Sequence, residues 1–314
     1  MKAPSQTSSI ALLNRRQMMG LSAALAGGAL LGRAAGALAE PAGAADKPAA
    51  PPWQIGCYTR PWDALEYRSA FDGMAEAGYK FAGLMTHKGK TPLVIHGGTT
   101  TDEAATVGEE AKKRGLTILS VYAGEFPVEV ATGLTVLKRL IDNCAACGCG
   151  RLMLGGVGKA ELVATYCRVL ADGCDYAATK NVSLSVKPHG GQTATGPACR
   201  KMVETVGRKN FGLWYDPGNI YYYSDGKVDP VEDAAAVDGL VVGMSVKDFS
   251  KGPPKDVNVT PGTGLVRFAE LFAKLKKGGF VTGPLVVECT ARGDAAKVTA
   301  EARKARLFLE ELLR

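Results

Sequence analysis

The segment Leu213-Trp214-Tyr215-Asp216-Pro217-Gly218-Asn219 joins an apolar, strand-like run to a carboxylate and a tight-turn sequence. A second segment, Leu285-Val286-Val287-Glu288-Cys289-Thr290, follows the same plan, with a carboxylate directly after the apolar run. An acidic residue at the end of a buried strand is costly unless it is solvated, paired or bound to a metal. The two segments therefore predict strands that carry functional residues at their C-terminal ends.

These segments belong to a series of strand-like runs that alternate with helical patterns. Runs begin near Gln54, Phe81, Thr117, Arg151, Val182, Phe211, Leu240 and Pro284. Their starts lie roughly 25 to 45 residues apart, the length of a strand with its crossover helix. Residues 67–77, 101–114 and 133–146 have helical periodicity and end at or near a glycine, the usual C-terminal stop.

The series predicts one α/β domain over residues 53–314, a single (β/α)₈ TIM barrel of about 250 residues. The alternative is an open, doubly wound sheet. Eight fairly even units favour the closed barrel, as does the lack of a Gly-x-Gly-x-x-Gly motif after the first strand. The same lack predicts no nucleotide cofactor. In a barrel, all the C-terminal strand ends converge on one rim.

The N-terminal residues have the features of a targeting signal. Arg15-Arg16 precedes an apolar stretch over residues 18–31, and Ala37-Leu38-Ala39 has the spacing of a cleavage site. We expect a twin-arginine signal peptide over residues 1–39, export to the periplasm or another extracytoplasmic compartment, and no stable membrane insertion after cleavage. The alternative is a retained anchor, although the apolar run is shorter than the roughly 20 residues that span a bilayer. Residues 40–52, rich in Pro and Ala, predict a disordered linker.

The charge of the chain argues against a nucleic-acid partner. The formal net charge is +7, and four of the cations belong to the signal segment: Lys2, Arg15, Arg16 and Arg33. The remainder carries +3, with no acidic or basic run, which is too little to indicate binding to nucleic acid or a membrane surface.

One cysteine cluster, Cys144-Ala145-Ala146-Cys147-Gly148-Cys149, has spacing that resembles a metal site. A structural zinc or iron–sulfur site requires four ligands, and the chain contains no second Cys-x-x-Cys pair. We therefore interpret these cysteines as small packing residues of a helix. Disulfide formation among the eight cysteines after export is the alternative, without an assignable pairing.

The strand-end residues supply the candidates for catalysis. Glu288 and Asp216 each end an apolar run; the structural alternatives are a salt bridge from Lys247 to Glu288 and a turn in which Asp216 caps its own backbone. Lys187 and His189 lie two residues apart, so their side chains are expected to share one face of the strand. Lys187 and Lys247 would offset the two carboxylates, polarise a carbonyl or hold an anion.

Other residues near strand ends are candidates for binding a substrate. They are Tyr58 at the end of the first strand, His87 after the second, Asn219 after the turn that follows Asp216, and Lys247. A histidine in such a position is more often structural, and the chain contains only three.

The strand-end motifs resemble those of the xylose isomerase-like barrel superfamily, the sugar phosphate isomerases and epimerases. The resemblance covers residues 53–314 and is most specific at Asp216-Pro-Gly-Asn219, Val246-Lys247-Asp248, Pro261-Gly-Thr-Gly264 and Val287-Glu288. It implies a divalent metal (Mn, Mg, Co or Zn) held by a glutamate, an aspartate, a histidine and a second glutamate from four strands. It also implies abstraction of a proton beside a carbonyl, with the glutamates as base and acid.

This chain departs from that pattern at two positions. Asp216 matches the aspartate and Glu288 the final glutamate, but Lys187 stands where the first glutamate is expected and Ser245 where the histidine is expected. His189 would restore a three-ligand site with Asp216 and Glu288. The alternative is that Lys187 replaces the charge of the metal.

The resemblance and the residues together predict an enzyme that isomerises or epimerises a small carbohydrate, a keto-sugar or sugar derivative. Glu288 is expected to be the base, with His189 or Lys187 as the acid or the oxyanion stabiliser. Two alternatives remain: a lyase or hydrolase of an oxidised (keto) glycoside, and a sugar-binding barrel without catalysis.

Overall fold

The computed structural model describes residues 53–314, and the predicted signal peptide and linker lie outside them. Eight parallel strands in chain order close into a barrel, because β1 pairs with β8 as well as with β2. The strands are β1 (Gln54–Tyr58), β2 (Phe81–Leu84), β3 (Thr117–Tyr122), β4 (Arg151–Leu154), β5 (Ser183–Val186), β6 (Phe211–Tyr215), β7 (Val241–Val246) and β8 (Pro284–Val287). The predicted fold is confirmed, and each predicted strand start lies within one residue of the observed one.

Helices connect the strands on the outside of the barrel. They are α1 (Tyr67–Glu76), α2 (Thr101–Lys113), α3 (Val130–Ala146), α4 (Val163–Ala178), α5 (Gly196–Val206), α6 (Pro217–Tyr223), α7 (Pro230–Asp233), α8 (Phe268–Lys277) and α9 (Ala295–Leu312). No helix within residues 53–314 has the length and apolar character needed to cross a membrane.

The start of α3 differs from the prediction. The helix begins at Val130, three residues before Gly133, whose N–H donates to the carbonyl of Glu129 in the first turn. A Cβ on Gly133 would lie 2.2 Å from the carbonyl oxygen of Pro127. Gly133 is therefore explained by this close backbone approach rather than by a helix boundary.

The cysteine cluster packs the end of α3 against the barrel. The Sγ of Cys147 donates to the carbonyl of Cys144, and the Sγ of Cys144 donates to the carbonyl of Cys149. All eight cysteines are buried free thiols. Within the described residues, no group of three or more His, Cys, Asp or Glu side chains is arranged to hold a metal ion. The interpretation as packing residues agrees with this arrangement.

The interior of the barrel is filled by large side chains from different strands. Tyr58, Met85, Leu119, Met153, Trp214 and Val286 form one cluster, separate from the larger core that contains the helices. Side chains from strands on opposite sides of the barrel can meet only inside it. The Tyr58 hydroxyl donates to Ser120 Oγ at 3.0 Å, and Tyr58 is fully buried. This layer is the floor under the rim.

We expect Gly83→Ala to destabilise the protein by about 1–3 kcal/mol, because it overpacks this layer. A Cβ on Gly83 would lie 2.3 Å from Cδ1 of the buried Tyr58 ring. Urea unfolding followed by circular dichroism measures the change. The matched control is Gly158→Ala, where no atom lies within 4 Å of the added Cβ, and equal stability of the two variants would contradict the prediction.

Candidate active site

Four charged side chains follow the ends of four consecutive strands. Each comes directly after its strand: Lys187 after β5, Asp216 after β6, Lys247 after β7 and Glu288 after β8. All four are at most 1 % exposed. Charged side chains are almost never fully buried unless they are paired, so their contacts decide what this rim can do.

Each lysine contacts both carboxylates. Lys187 Nζ lies 2.8 Å and 2.9 Å from the two Glu288 oxygens and 3.2 Å from Asp216 Oδ2. Lys247 Nζ lies 2.5 Å from Glu288 Oε1 and 3.2 Å from Asp216 Oδ2. The predicted placement of two lysines beside two carboxylates is therefore observed, and the salt-bridge alternative for Glu288 and Lys247 is also observed.

Arg60 is a fifth member that the sequence analysis missed. It lies in a 3₁₀ turn two residues after β1, and its Nη1 donates to Glu288 Oε1 at 3.1 Å. Its side chain is 28 % exposed, so it connects the buried charges to solvent. The signal in the sequence was its position just after a strand end. We call Arg60, Lys187, Asp216, Lys247 and Glu288 the charged cluster.

Asp216 has two functions that use different oxygens. Its Oδ1 accepts from the N–H of Asn219 at 2.9 Å and caps α6, while its Oδ2 faces the two lysines. The Asn219 side chain is fixed as well, because its Nδ2 donates to the carbonyl of Pro188 and its Oδ1 accepts from Lys247 Nζ. The turn after β6 thus orients both Asp216 and Lys247.

Cations keep Glu288 ionised in spite of its burial. Burial alone would raise the pKa of Glu288, but the ammonium groups of Lys187 and Lys247, together with Arg60, lower it well below its usual value. The pKa of Lys187 is raised: burial opposes its charge, and Glu288 and Asp216 outweigh that effect. Glu288 is therefore an anion at neutral pH and a weak base.

His189 lies above the charged cluster and lines a cavity at the mouth of the barrel. This mouth cavity, about 280 Å³, is bounded by Arg60, His189, Asn219, Tyr222, Tyr223 and residues 255–258. The His189 ring lies 5.6 Å from that of Tyr223 and 6.3 Å from that of Tyr122, between centroids. A Cβ on Gly190 would lie 2.8 Å from the Tyr223 ring, so the glycine permits this packing.

The imidazole of His189 is neutral at neutral pH. Burial lowers its pKa, the charges of Lys187 and Lys247 lower it further, and the result is about 4. A partly exposed, neutral imidazole in the cavity that Arg60 also lines is a proton acceptor that a bound molecule can reach.

The residues present do not fit the metal that the resemblance implies. Both Glu288 oxygens and Asp216 Oδ2 already face ammonium groups within 3.2 Å. A cation placed there would meet Lys187 and Lys247 as like charges. At the expected histidine position, Ser245 is fully buried, and its Oγ has no hydrogen-bond partner among the described residues. Within residues 53–314, the His189 side chain makes no hydrogen bond or ion pair with Asp216 or Glu288, so it is not placed as a third ligand.

Two predicted binding residues lie elsewhere. Tyr58 belongs to the packed floor below the charged cluster, with its hydroxyl bonded to Ser120, so its position does not support contact with a substrate. His87 lines a separate cavity of about 310 Å³ beside α1 and α2, with its ring against Tyr67 and near His96. Neither placement could be read from the sequence, because both depend on where the loops and the barrel interior put the side chains.

Asp248 has a structural role that explains a sequence motif. Its carboxylate is fully buried and accepts hydrogen bonds from the backbone N–H groups of Phe249, Gly262, Gly264 and Val266, at 2.8–3.0 Å. A Cβ on Gly264 would lie 2.4 Å from Asp248 Oδ1. The Pro261-Gly-Thr-Gly264 motif thus anchors the loop after β7 rather than supplying a ligand.

Solved structures with this fold include sugar epimerases. A xylose isomerase domain protein from Planctomyces limnophilus is 20 % identical, with a TM-score of 0.65 over 83 % of this chain and 98 % of its own. A D-psicose 3-epimerase solved in the presence of D-fructose is 15 % identical, with a TM-score of 0.67 over 83 % and 99 %. A D-allulose 3-epimerase from Methylomonas sp., solved with D-allulose, is 17 % identical, with a TM-score of 0.65 over 83 % and 97 %.

Among curated proteins, no sequence matches this chain. The family model described as xylose isomerase-like TIM barrel matches residues 71–312, which include every strand-end residue of the charged cluster from Lys187 to Glu288. The chain belongs to the xylose isomerase-like TIM barrel family.

Proposed function

We propose that this protein is a carbohydrate isomerase or epimerase that removes a proton from the carbon next to a carbonyl group. The substrate class is a small keto-sugar or sugar derivative. One observation carries the proposal: a neutral, partly exposed His189 lines the same cavity as Arg60, the solvent-facing member of the charged cluster. Family membership supports it, since sugar epimerases share the fold.

His189 is the proposed base. Glu288, which the sequence favoured, is fully buried and held by three cations, so it is the weaker proton acceptor of the two. A pKa near 4 makes His189 a weaker base than free imidazole, yet the ring is unprotonated and lines the mouth cavity. Its nitrogen would take the proton from the substrate carbon, and the electron pair of the broken C–H bond would pass to the carbonyl oxygen as an enolate.

Arg60 is the proposed stabiliser of that enolate. One of its N–H groups is used by Glu288, and a guanidinium has five. The remaining donors lie on a side chain that lines the cavity. Positive charge placed where the oxyanion develops is a large contribution to catalysis. For an epimerisation, His189 gives its proton to solvent, and a water molecule on the opposite face protonates the same carbon. For an isomerisation, the former carbonyl carbon takes the proton, its enolate oxygen takes up a second proton to become a hydroxyl, and the hydroxyl on the first carbon loses its proton to become the new carbonyl.

The walls of the mouth cavity suit a polar, ring-shaped molecule. Tyr222 and Tyr223 offer aromatic surface, and Asn219 and Asn258 offer amide groups. The cavity volume, about 280 Å³, lies just below the range of small-molecule sites, which is about 300–1,000 Å³. We further propose that the protein acts outside the cytoplasm, as its twin-arginine motif predicts, on unphosphorylated sugars.

Proton exchange with solvent tests this function directly. The protein is incubated in D₂O with free ketohexoses and with glycosides oxidised to ketones, and proton NMR follows the carbon beside the carbonyl. We expect loss of one C–H signal at that carbon for at least one sugar, with accumulation of an epimer or isomer. Binding of a sugar without exchange would contradict the proposal and indicate a binding protein. Release of the aglycone as the main product would favour a lyase.

A further inference from the structure

We propose that Lys187 and Lys247 together form a built-in dication that replaces the divalent metal of this fold family. Two ammonium groups carry the same +2 charge as one divalent ion. They contact the same two carboxylates, Asp216 and Glu288, that the family resemblance assigns to a metal. The carboxylates are thus bridged, as a shared cation would bridge them.

Three oxygen atoms surround each ammonium group. Lys187 Nζ donates to both Glu288 oxygens and to Asp216 Oδ2, all within 3.2 Å, so none of its three donors is left for a substrate. Lys247 Nζ donates to Asn219 Oδ1 at 3.0 Å and forms ion pairs with Glu288 and Asp216 at 2.5 Å and 3.2 Å. The pair therefore acts through its charge, as positioning residues for Arg60 and the carboxylates.

The two lysines are also held in place by packing. A Cβ on Gly218 would lie 2.5 Å from Lys247 Cγ, so the glycine makes room for the lysine stem. Lys187 Nζ lies 5.2 Å from the centroid of the Tyr122 ring, within cation–π range. Both side chains are 1 % exposed. Because these contacts already fix both lysines and both carboxylates, the arrangement is complete without a metal ion.

A metal ion could enter only by displacing the lysines. With Lys187, Lys247 and Arg60 retained, a divalent ion would raise the positive charge around the two carboxylates from +3 to +5. Like charges at contact distance repel strongly in a buried site. The inference is therefore that the wild-type site excludes divalent ions.

The wild-type test measures binding and unfolding. Isothermal titration with MnCl₂ and thermal unfolding with EDTA or with MnCl₂ are performed on the chain without its signal segment and on the full chain. We expect no saturable Mn²⁺ binding and the same unfolding midpoint in EDTA and in MnCl₂. Binding of one Mn²⁺ per chain with a raised midpoint would overturn the proposal. Neither readout depends on which substrate the protein uses, so this result is separate from that of the proposed function.

A pair of substitutions should restore a metal site. Lys187→Glu with Ser245→His removes one ammonium and supplies the two side chains that the family pattern has there. We expect saturable binding of one Mn²⁺, with an affinity at least roughly a hundredfold above the detection limit at which wild type shows none, because second-shell changes alone alter metal affinity 10–100-fold. Lys187→Met with Ser245→Ala is the control, which removes the ammonium without adding ligands and should not bind. A folded double variant that binds no better than the control would overturn the proposal; if it does not fold, the wild-type titration decides.

Discussion

Replacing Glu288 with Gln should destabilise the folded protein by about 3–5 kcal/mol, the usual effect of removing one partner from a buried ion pair. Glutamine has the shape of glutamate without its charge. Lys187, Lys247 and Arg60 would then face a single carboxylate, that of Asp216, in a fully buried rim. Chemical denaturation at neutral pH, with the slope compared between variants, measures the loss.

The matched control is the same substitution at an exposed ion pair. Glu204 pairs with Arg200 at 2.9 Å, and its side chain is 59 % exposed. Glu204→Gln should change stability by no more than about 0.5 kcal/mol, because solvent screens such pairs. Equal effects of the two substitutions would show that the charged cluster contributes no more than a surface pair.

The cost of Glu288→Gln should depend on pH in a defined direction. The folded-state pKa of Glu288 lies well below its usual value, and the unfolded value is about 4.3. The stabilisation is therefore complete above about pH 4.3 and is lost progressively as the pH falls below it. The difference in stability between wild type and variant should shrink in acid and stay constant from pH 5 upward.

Replacing His189 with Gln should lower kcat/KM by about 10²–10⁴-fold, the usual contribution of a general base. The ring lines the mouth cavity and makes no side-chain hydrogen bond that the fold requires among the described residues, so the unfolding midpoint should stay close to that of wild type. His96→Gln is the control, since His96 is also partly buried but lines the other cavity. Comparable activity in the His189 and His96 variants would contradict the assignment of the base.

The pH profile of kcat/KM should identify the same group. A base acts when it is unprotonated, and the pKa of His189 is lowered to about 4. Activity should therefore persist below pH 6.5, where an ordinary histidine becomes protonated, and fall only near pH 4. A profile that falls with a midpoint near 6.5 would contradict the environment described for His189.

The barrel could be predicted because its signals are local. Strand alternation, helical periodicity and terminal glycines depend on residues a few positions apart, so the starts of all eight strands were found within one residue. The same reasoning located Asp216, Lys247 and Glu288, because each follows an apolar run. It also identified Lys187 and Ser245 as departures from the family pattern.

The prediction from side-chain alternation was wrong at the end of β5. Lys187 and His189 were expected to share a face, but β5 ends at Val186, and Pro188 cannot continue the ladder. Lys187 turns into the rim and is buried, while His189 stays partly exposed in the mouth cavity. The period of two holds only while the backbone is extended and paired.

The sequence by itself determined the barrel and the identity of the charges at its rim. Only the tertiary structure decided which of these residues touch. Lys187 contacts Glu288 although they are 101 positions apart in the sequence, and Arg60 contacts Glu288 although they are 228 positions apart. Tyr58 is buried beneath them. These contacts exist because β8 closes onto β1 and brings distant strand ends to one rim. The periodicity of a strand predicts which face of the sheet a side chain occupies. Closure of the barrel decides which charged side chains from different strands come into contact, and therefore which charges are paired.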